Sequence, residues 1–95
     1  VSAEEKALIE ARALAVPVSL METCHEYILS TKTFLPDCNP NITSDAKVGI
    51  HLLAGAAKAA YQTVLVNSPS VEEKERLRNL LKEIRNVEEE LLALD

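Results

Sequence analysis

The chain has 95 residues, room for one domain or part of one, and a core small enough that staples or partners commonly support it. Hydrophobic residues make up 47% but aromatics only 3%, with two glycines, which favours helices packed on Ala, Leu and Val over sheets. The formal charge of −5 supplies no basic footprint for a phosphate backbone, so nucleic acid is excluded as a partner.

Ser2 stands three residues before Glu5, a capping-box spacing ahead of an Ala/Leu-rich run, and predicts a first helix from about Ala3 towards Val16. Pro17 removes one amide donor and crowds the preceding turn, so the spacing predicts either a kink or the start of a second helix there. Beyond it, Leu20, Met21, Cys24, Tyr27, Ile28, Thr31, Phe34 and Leu35 follow steps of three and four along one helical face, which Pro36 ends. Pro36 to Asn41 is turn chemistry, with two prolines and three Asx residues.

Thr43 or Ser44 is the expected cap of the next helix, Asp45 to Val66, with Asp45 in its first turn. This helix is apolar and small apart from Lys47, His51, Lys58, Gln62 and Thr63. Gly49, Gly55 and the alanine pairs are expected to let neighbouring backbones come close, with protein wrapping the helix on most sides. Its uncharged runs fall short of the roughly 20 residues of a membrane span. Asn67-Ser68-Pro69 breaks the chain, and Ser70 with Glu73 forms a second capping box. In the last helix Leu77, Leu80, Ile84, Val87, Leu91 and Leu94 trace an amphipathic seam too short for an independent coiled coil. The expectation is all-α: a four-helix arrangement, divided or kinked at Pro17, forming one unit over residues 1–95 without internal repeats.

Several groups invite chemistry, each with a plainer alternative. Cys24, His25, Cys38 and His51 lack the close paired spacing of a zinc site, so no metal is expected. Cys24 and His25 are adjacent, and adjacent helical positions do not face each other, which weakens a Cys–His nucleophile; no catalytic residue is assigned. Lys47, His51 and Lys58 share a stripe that is either a solvated edge or the wall of an anion cleft. The strongest local candidate is Asn39-Pro40-Asn41-Ile42-Thr43-Ser44-Asp45, where free amides, asparagines and a carboxylate could read a polar ligand. The plainer reading is capping and turn formation. The opening residues Val1 to Lys6 are charged and lack a secretory pattern, and two cysteines fit a reducing compartment, so a cytoplasmic setting is expected. A start at Val1 is expected from either a removed initiator or a segment of a longer protein.

Asn39-Pro40-Asn41, then Ser44-Asp45-Ala46 and Val48, resembles the loop-and-helix motif of the formiminotetrahydrofolate cyclodeaminase family, which includes methenyltetrahydrofolate cyclohydrolase relatives. Ala60-Tyr61 and Val64-Leu65-Val66-Asn67 resemble the family's helix end, and the Ala-rich run into Val16-Pro17 resembles its stretch ending in Val-Pro. Cys38 stands where the family has a glycine, and Thr63 where it has an asparagine. The family's Gly-rich opening and upstream carboxylate have no counterpart, so the resemblance is to the C-terminal half of the cyclodeaminase module and its helical bundle. It implies a tetrahydrofolate derivative as substrate, closure of a formimino group onto the neighbouring nitrogen, and release of ammonia. It further implies substrate contacts from Asn39, Asn41, Ser44 and Asp45, with Lys47 and Lys58 near the glutamate tail. The chain would then supply part of a folate site, completed by a homo-oligomer or a missing N-terminal half. The contrasting expectation is a non-catalytic helical assembly module derived from that scaffold. A generic helical scaffold would explain the apolar pattern but not the ordered motifs.

Overall fold

The computed structural model describes residues 2–35 and 39–93. They form three helices, α1 (Ala3–Phe34), α2 (Pro40–Val66) and α3 (Val71–Ala93). The all-helical expectation holds, but the four-helix arrangement does not: Pro17 lies inside α1, which runs through it without a break. Pro17 lacks the N–H that would bond the Ala13 carbonyl, and Ala13 lies on the exposed side, where water reaches it. The proline ring itself packs into the core.

Each helix start has a local cause. The Glu5 amide donates to Ser2 Oγ at 3.1 Å, as the first capping box predicts. The cap of α2 is Asn39, not Thr43 or Ser44: its Oδ1 accepts from the Ile42 amide at 3.0 Å, and Pro40 occupies the first helical position. Proline is favoured there because its missing N–H would have no intrahelical partner. The helix therefore starts five residues earlier than Asp45, and its first turn holds no acidic residue. Ser70 Oγ accepts from the Glu73 amide at 3.1 Å, while the Glu73 carboxylate turns to Arg76 instead of back to the cap. Between α2 and α3, Asn67 caps through its Nδ2 to the Thr63 carbonyl at 2.7 Å. Ser68 takes the left-handed conformation that ends the helix, at φ 52°.

Three ion pairs fix the direction of packing. Glu22 meets Arg76, His25 meets Glu83, and Lys32 meets Glu90, so α1 and α3 run parallel. The connecting α2 returns antiparallel to both. The larger helix–helix interface is between α1 and α2, with α3 lying across the pair. The core takes Val18, Met21, Cys24 and Ile28 from α1, and Ile50, Ala54, Ala57, Ala60, Tyr61 and Val64 from α2. Leu77, Leu81, Ile84, Val87 and Leu91 come from α3. The last set keeps most of the predicted seam, with Leu81 fully in the core beside a half-buried Leu80; Leu94 lies outside the described residues.

Two expectations about α2 are corrected. The helix is open along one stripe, where Val48, Leu52, Gly55, Ala59 and Val66 are all exposed, Leu52 at 70%. Three helices cover only the opposite face. Gly49 and Gly55 mediate no close approach within the chain, for a Cβ at either would meet nothing within 4 Å. The molecule is 57 Å long and under 20 Å across, and residues Ser2 to Ala13 of α1 are exposed throughout.

Because Gly55 is helical and unconstrained by neighbours in the protomer, Gly55→Ala should raise its stability by about 0.5–1 kcal/mol. Urea unfolding of the two chains checks this; a loss of stability would mean that something occupies the space beside Gly55.

Candidate functional site

The head of α2 carries the sequence candidates, and the structure divides them. Asn39 is spent on the cap, with its side-chain oxygen bonded to Ile42. Asn41 and Asp45 are one helical turn apart and Ser44 lies between them; all three are exposed. By helical spacing Asn41, Asp45, Val48 and Leu52 continue one row, so the polar trio runs directly into the uncovered apolar stripe. Exposed Ile42 and Phe34 lie at the same end of the bundle. The trio shares one exposed face. The cap role of Asn39 was legible in the Asn-Pro pair, which marks a helix start more strongly than the Thr-Ser pair that follows.

The stripe of His51 and Lys58 is a partly solvated edge that is tied to α3. Both residues reach the same α3 carboxylate: His51 Nδ1 lies 2.8 Å from Glu88 Oε2, and Lys58 Nζ donates to Glu88 Oε1 at 2.8 Å. Glu88 is 17% exposed. Burial pushes its carboxyl up, but the hydrogen bonds from Lys58 and His51, together with their charges, outweigh it and hold it below the usual range. The expected use of Lys58 for a ligand's glutamate tail must therefore compete with an internal carboxylate. Lys47 is half-buried and has its own interactions.

His25, on α1, is paired with Glu83 of α3, while its neighbour Cys24 points into the core. The two do not form a nucleophile pair. Burial raises the Cys24 thiol above its usual range, which keeps it protonated and inert. Cys38 lies outside the described residues. Among the described residues, no three His, Cys, Asp or Glu come together as a metal site, and no helix is long and apolar enough to cross a membrane.

A third polar node ties α1 to the start of α3. Glu73 takes Arg76 in a forked pair, at 3.0 Å from Nε and 2.8 Å from Nη2, and Glu22 approaches the same guanidinium at 3.7 Å. The Arg76 hydrogen bonds hold the Glu73 carboxyl below its ordinary range despite partial burial.

Comparison with known families decides the assignment. The family model described as formiminotransferase-cyclodeaminase matches residues 2–86. The chain belongs to the formiminotransferase-cyclodeaminase family. No curated protein matches the chain, and no solved structure does. The match spans the whole of α1 and α2 and α3 as far as residue 86, so it includes the head of α2 and the Glu22–Arg76 and His25–Glu83 ties but stops short of Glu88 and Glu90.

The Glu88 pair carries a pH dependence whose sign follows from its lowered carboxyl. A depressed folded value contributes stability above the unfolded value, near 4.5, and that contribution is lost as pH falls through the folded value. Glu88→Gln should cost about 1–3 kcal/mol at neutral pH and flatten the acid limb of the stability curve below about pH 4.5. Denaturant titrations between pH 3 and 7 check both, and an unchanged acid limb would assign that limb to other carboxylates.

Proposed function

We propose that this chain is a segment of a folate-dependent cyclodeaminase, turning formiminotetrahydrofolate into methenyltetrahydrofolate and ammonia, and that it contributes part of the folate site. The neighbouring folate nitrogen attacks the formimino carbon, a carbon–nitrogen bond forms, and the amine leaves as ammonia after taking a proton. Such a reaction needs a cleft that holds the two nitrogens together and a general acid at the departing amine. The supporting observation is the family match over residues 2–86, joined to the exposed placement of Asn41, Ser44 and Asp45 in one patch at the head of α2. In this reading Asp45 accepts hydrogen bonds from the pterin's amino and imide edge, and Asn41 and Ser44 orient the ring. The carboxyl that protonates the amine comes from outside these residues.

The patch needs a second wall. On α2, exposed Val48, Leu52 and Val66 continue from it, and on α1 exposed Ile9, Val16, Leu20, Tyr27 and Phe34 follow at steps of seven, four, seven and seven. Apolar rows of this extent mark interfaces. A second copy of the chain or an N-terminal half of the cyclodeaminase module would cover them and close the site, in a cytoplasmic protein. The exposed apolar rows of α1 and α2 also favour a second reading, an assembly module on this scaffold without catalysis.

Formation of methenyltetrahydrofolate, followed by its absorbance, separates the two. The chain joined to the preceding half of a cyclodeaminase module should turn over substrate, and Asp45→Ala should weaken folate binding about tenfold. No turnover by a folded, joined protein would leave the assembly reading, and unchanged folate affinity in Asp45→Ala would remove that residue from the site.

Assembly has its own test. Sedimentation at micromolar concentration should show a multimer, and Leu52→Asp, a change on an exposed position, should yield a folded monomer. A compact monomer of the unsubstituted chain would contradict the proposal.

A further inference from the structure

Away from the head of α2, a cleft of about 500 Å³ lies between α2 and α3, lined by Lys58, Tyr61, Gln62, Arg78, Leu81 and Arg85. Its apolar part is set by the core, since Tyr61 and Leu81 are both buried. Its rim is cationic. Arg78, Lys82 and Arg85 follow one another at four and three residues, which places them in one row on α3, and Arg78 and Arg85 also line an adjoining hollow with Lys82.

The charge state of this row separates it from the other basic groups that face a neighbouring helix. His25, Lys32, His51, Lys58 and Arg76 each hold a carboxylate of another element. Among the described residues Arg78, Lys82 and Arg85 have no ion pair or hydrogen bond, although Glu75 and Glu89 stand within one helical turn of them. The Tyr61 hydroxyl and the Gln62 amide, on the facing helix, are likewise without a protein partner. Two unpaired guanidinium forks, a hydroxyl and an amide thus line one concavity beside the Glu88-bound Lys58, with Lys82 in the adjoining hollow, on a chain of net charge −5. Guanidinium groups so placed match the planar geometry of carboxylate and phosphate oxygens.

We propose that this cleft is a binding site for a small multivalent oxyanion, a di- or tricarboxylate or a diphosphate. The Arg78 and Arg85 forks grip the oxygens, Lys82 adds charge, and Tyr61 and Gln62 donate from α2. The site stands apart from the candidate folate patch: Lys58 to Gln62 lie 13 to 17 residues beyond Asp45 along α2, a separation of about 20–25 Å at the helical rise. It therefore does not depend on the cyclodeaminase reading. An occupant would bridge α2 and α3 beside Glu88, adding a second tie between the same two helices.

The test is a nitrogen-15 NMR titration of the whole chain with pyrophosphate and, separately, with tricarballylate, at ionic strength held constant with sodium chloride. At least one probe should saturate, with shifts concentrated at Lys58, Tyr61, Gln62, Arg78, Lys82 and Arg85. Tighter binding of pyrophosphate identifies a phosphate-bearing ligand, and tighter binding of tricarballylate a carboxylate one. Arg78→Gln/Arg85→Gln, both exposed positions, should weaken the tighter probe at least about tenfold, while Lys6→Gln/Arg12→Gln on α1 should leave it unchanged. The proposal is overturned if neither probe saturates, if shifts spread equally to Lys6, Arg12 and Lys74, or if the double arginine variant binds as well as the parent.

Discussion

Three helices close only one side of a helix, and this limit organises the molecule. α2 carries small and apolar residues on nearly its whole circumference, but α1 and α3 reach only the face of Ile50, Ala54, Ala57, Tyr61 and Val64. The opposite row, from Val48 through Leu52 and Gly55 to Val66, stays in water. Val48, Gly55 and Val66 are weak helix formers, so neither helix propensity nor burial in a free protomer accounts for this row. α1 repeats the situation, with Met21, Cys24 and Ile28 buried while Leu20, Tyr27 and Phe34 are exposed on the same helix. Two neighbouring helices thus share the same mismatch, each with apolar residues left exposed among the described residues.

The third helix is held differently. Its apolar seam is a single row, and its docking is completed by carboxylates that accept from the other two helices: Glu83 from α1, Glu88 from α2, and Glu90 from α1 again. Exposed pairs such as Lys32–Glu90 add little stability. Glu88 differs because two donors seven residues apart on α2 meet its two oxygens in a partly dry place. Such an arrangement fixes the register of α3, since a slip of one turn would leave a half-buried carboxylate unpaired. The acidic character of the chain is in part the means by which its last helix is placed.

Helix content, the amphipathic seam of α3 and the serine caps were legible in the sequence because each depends on local spacing. The errors have physical causes as local as the successes. Pro17 reads as a kink or a helix start because a proline removes one bond, yet one missing bond on a solvated side does not end a helix flanked by alanines. The start of α2 was placed too late because Thr43, Ser44 and Asp45 have cap-like side chains, and Asn39-Pro40 outranks them. Gly55 suggested close packing, and only the fold shows that nothing approaches it. The pairing of His51 and Lys58 with Glu88 spans 37 and 30 residues in sequence, and no spacing rule within one helix contains it. For the site, the pattern located the exposed patch of Asn41, Ser44 and Asp45 but misassigned Asn39, whose oxygen is committed to the backbone.

That misassignment sharpens the argument about where a ligand would be met. A cap asparagine fixes the first turn of α2 and so sets the direction of every residue after it, including Asp45 six positions on. Asn39 then acts on the patch through geometry, and substituting it would move Asn41 and Asp45 together as the first turn frays. The same turn presents the positive end of the helix dipole beside the patch, and no carboxylate in that turn neutralises it. Anionic or strongly accepting groups are thereby favoured at the head of α2, whereas its flank farther along is already supplied with Glu88. The two ends of one helix differ in that His51 and Lys58 are balanced by Glu88, while the head is left polar and open next to an apolar row that, among the described residues, has no neighbour.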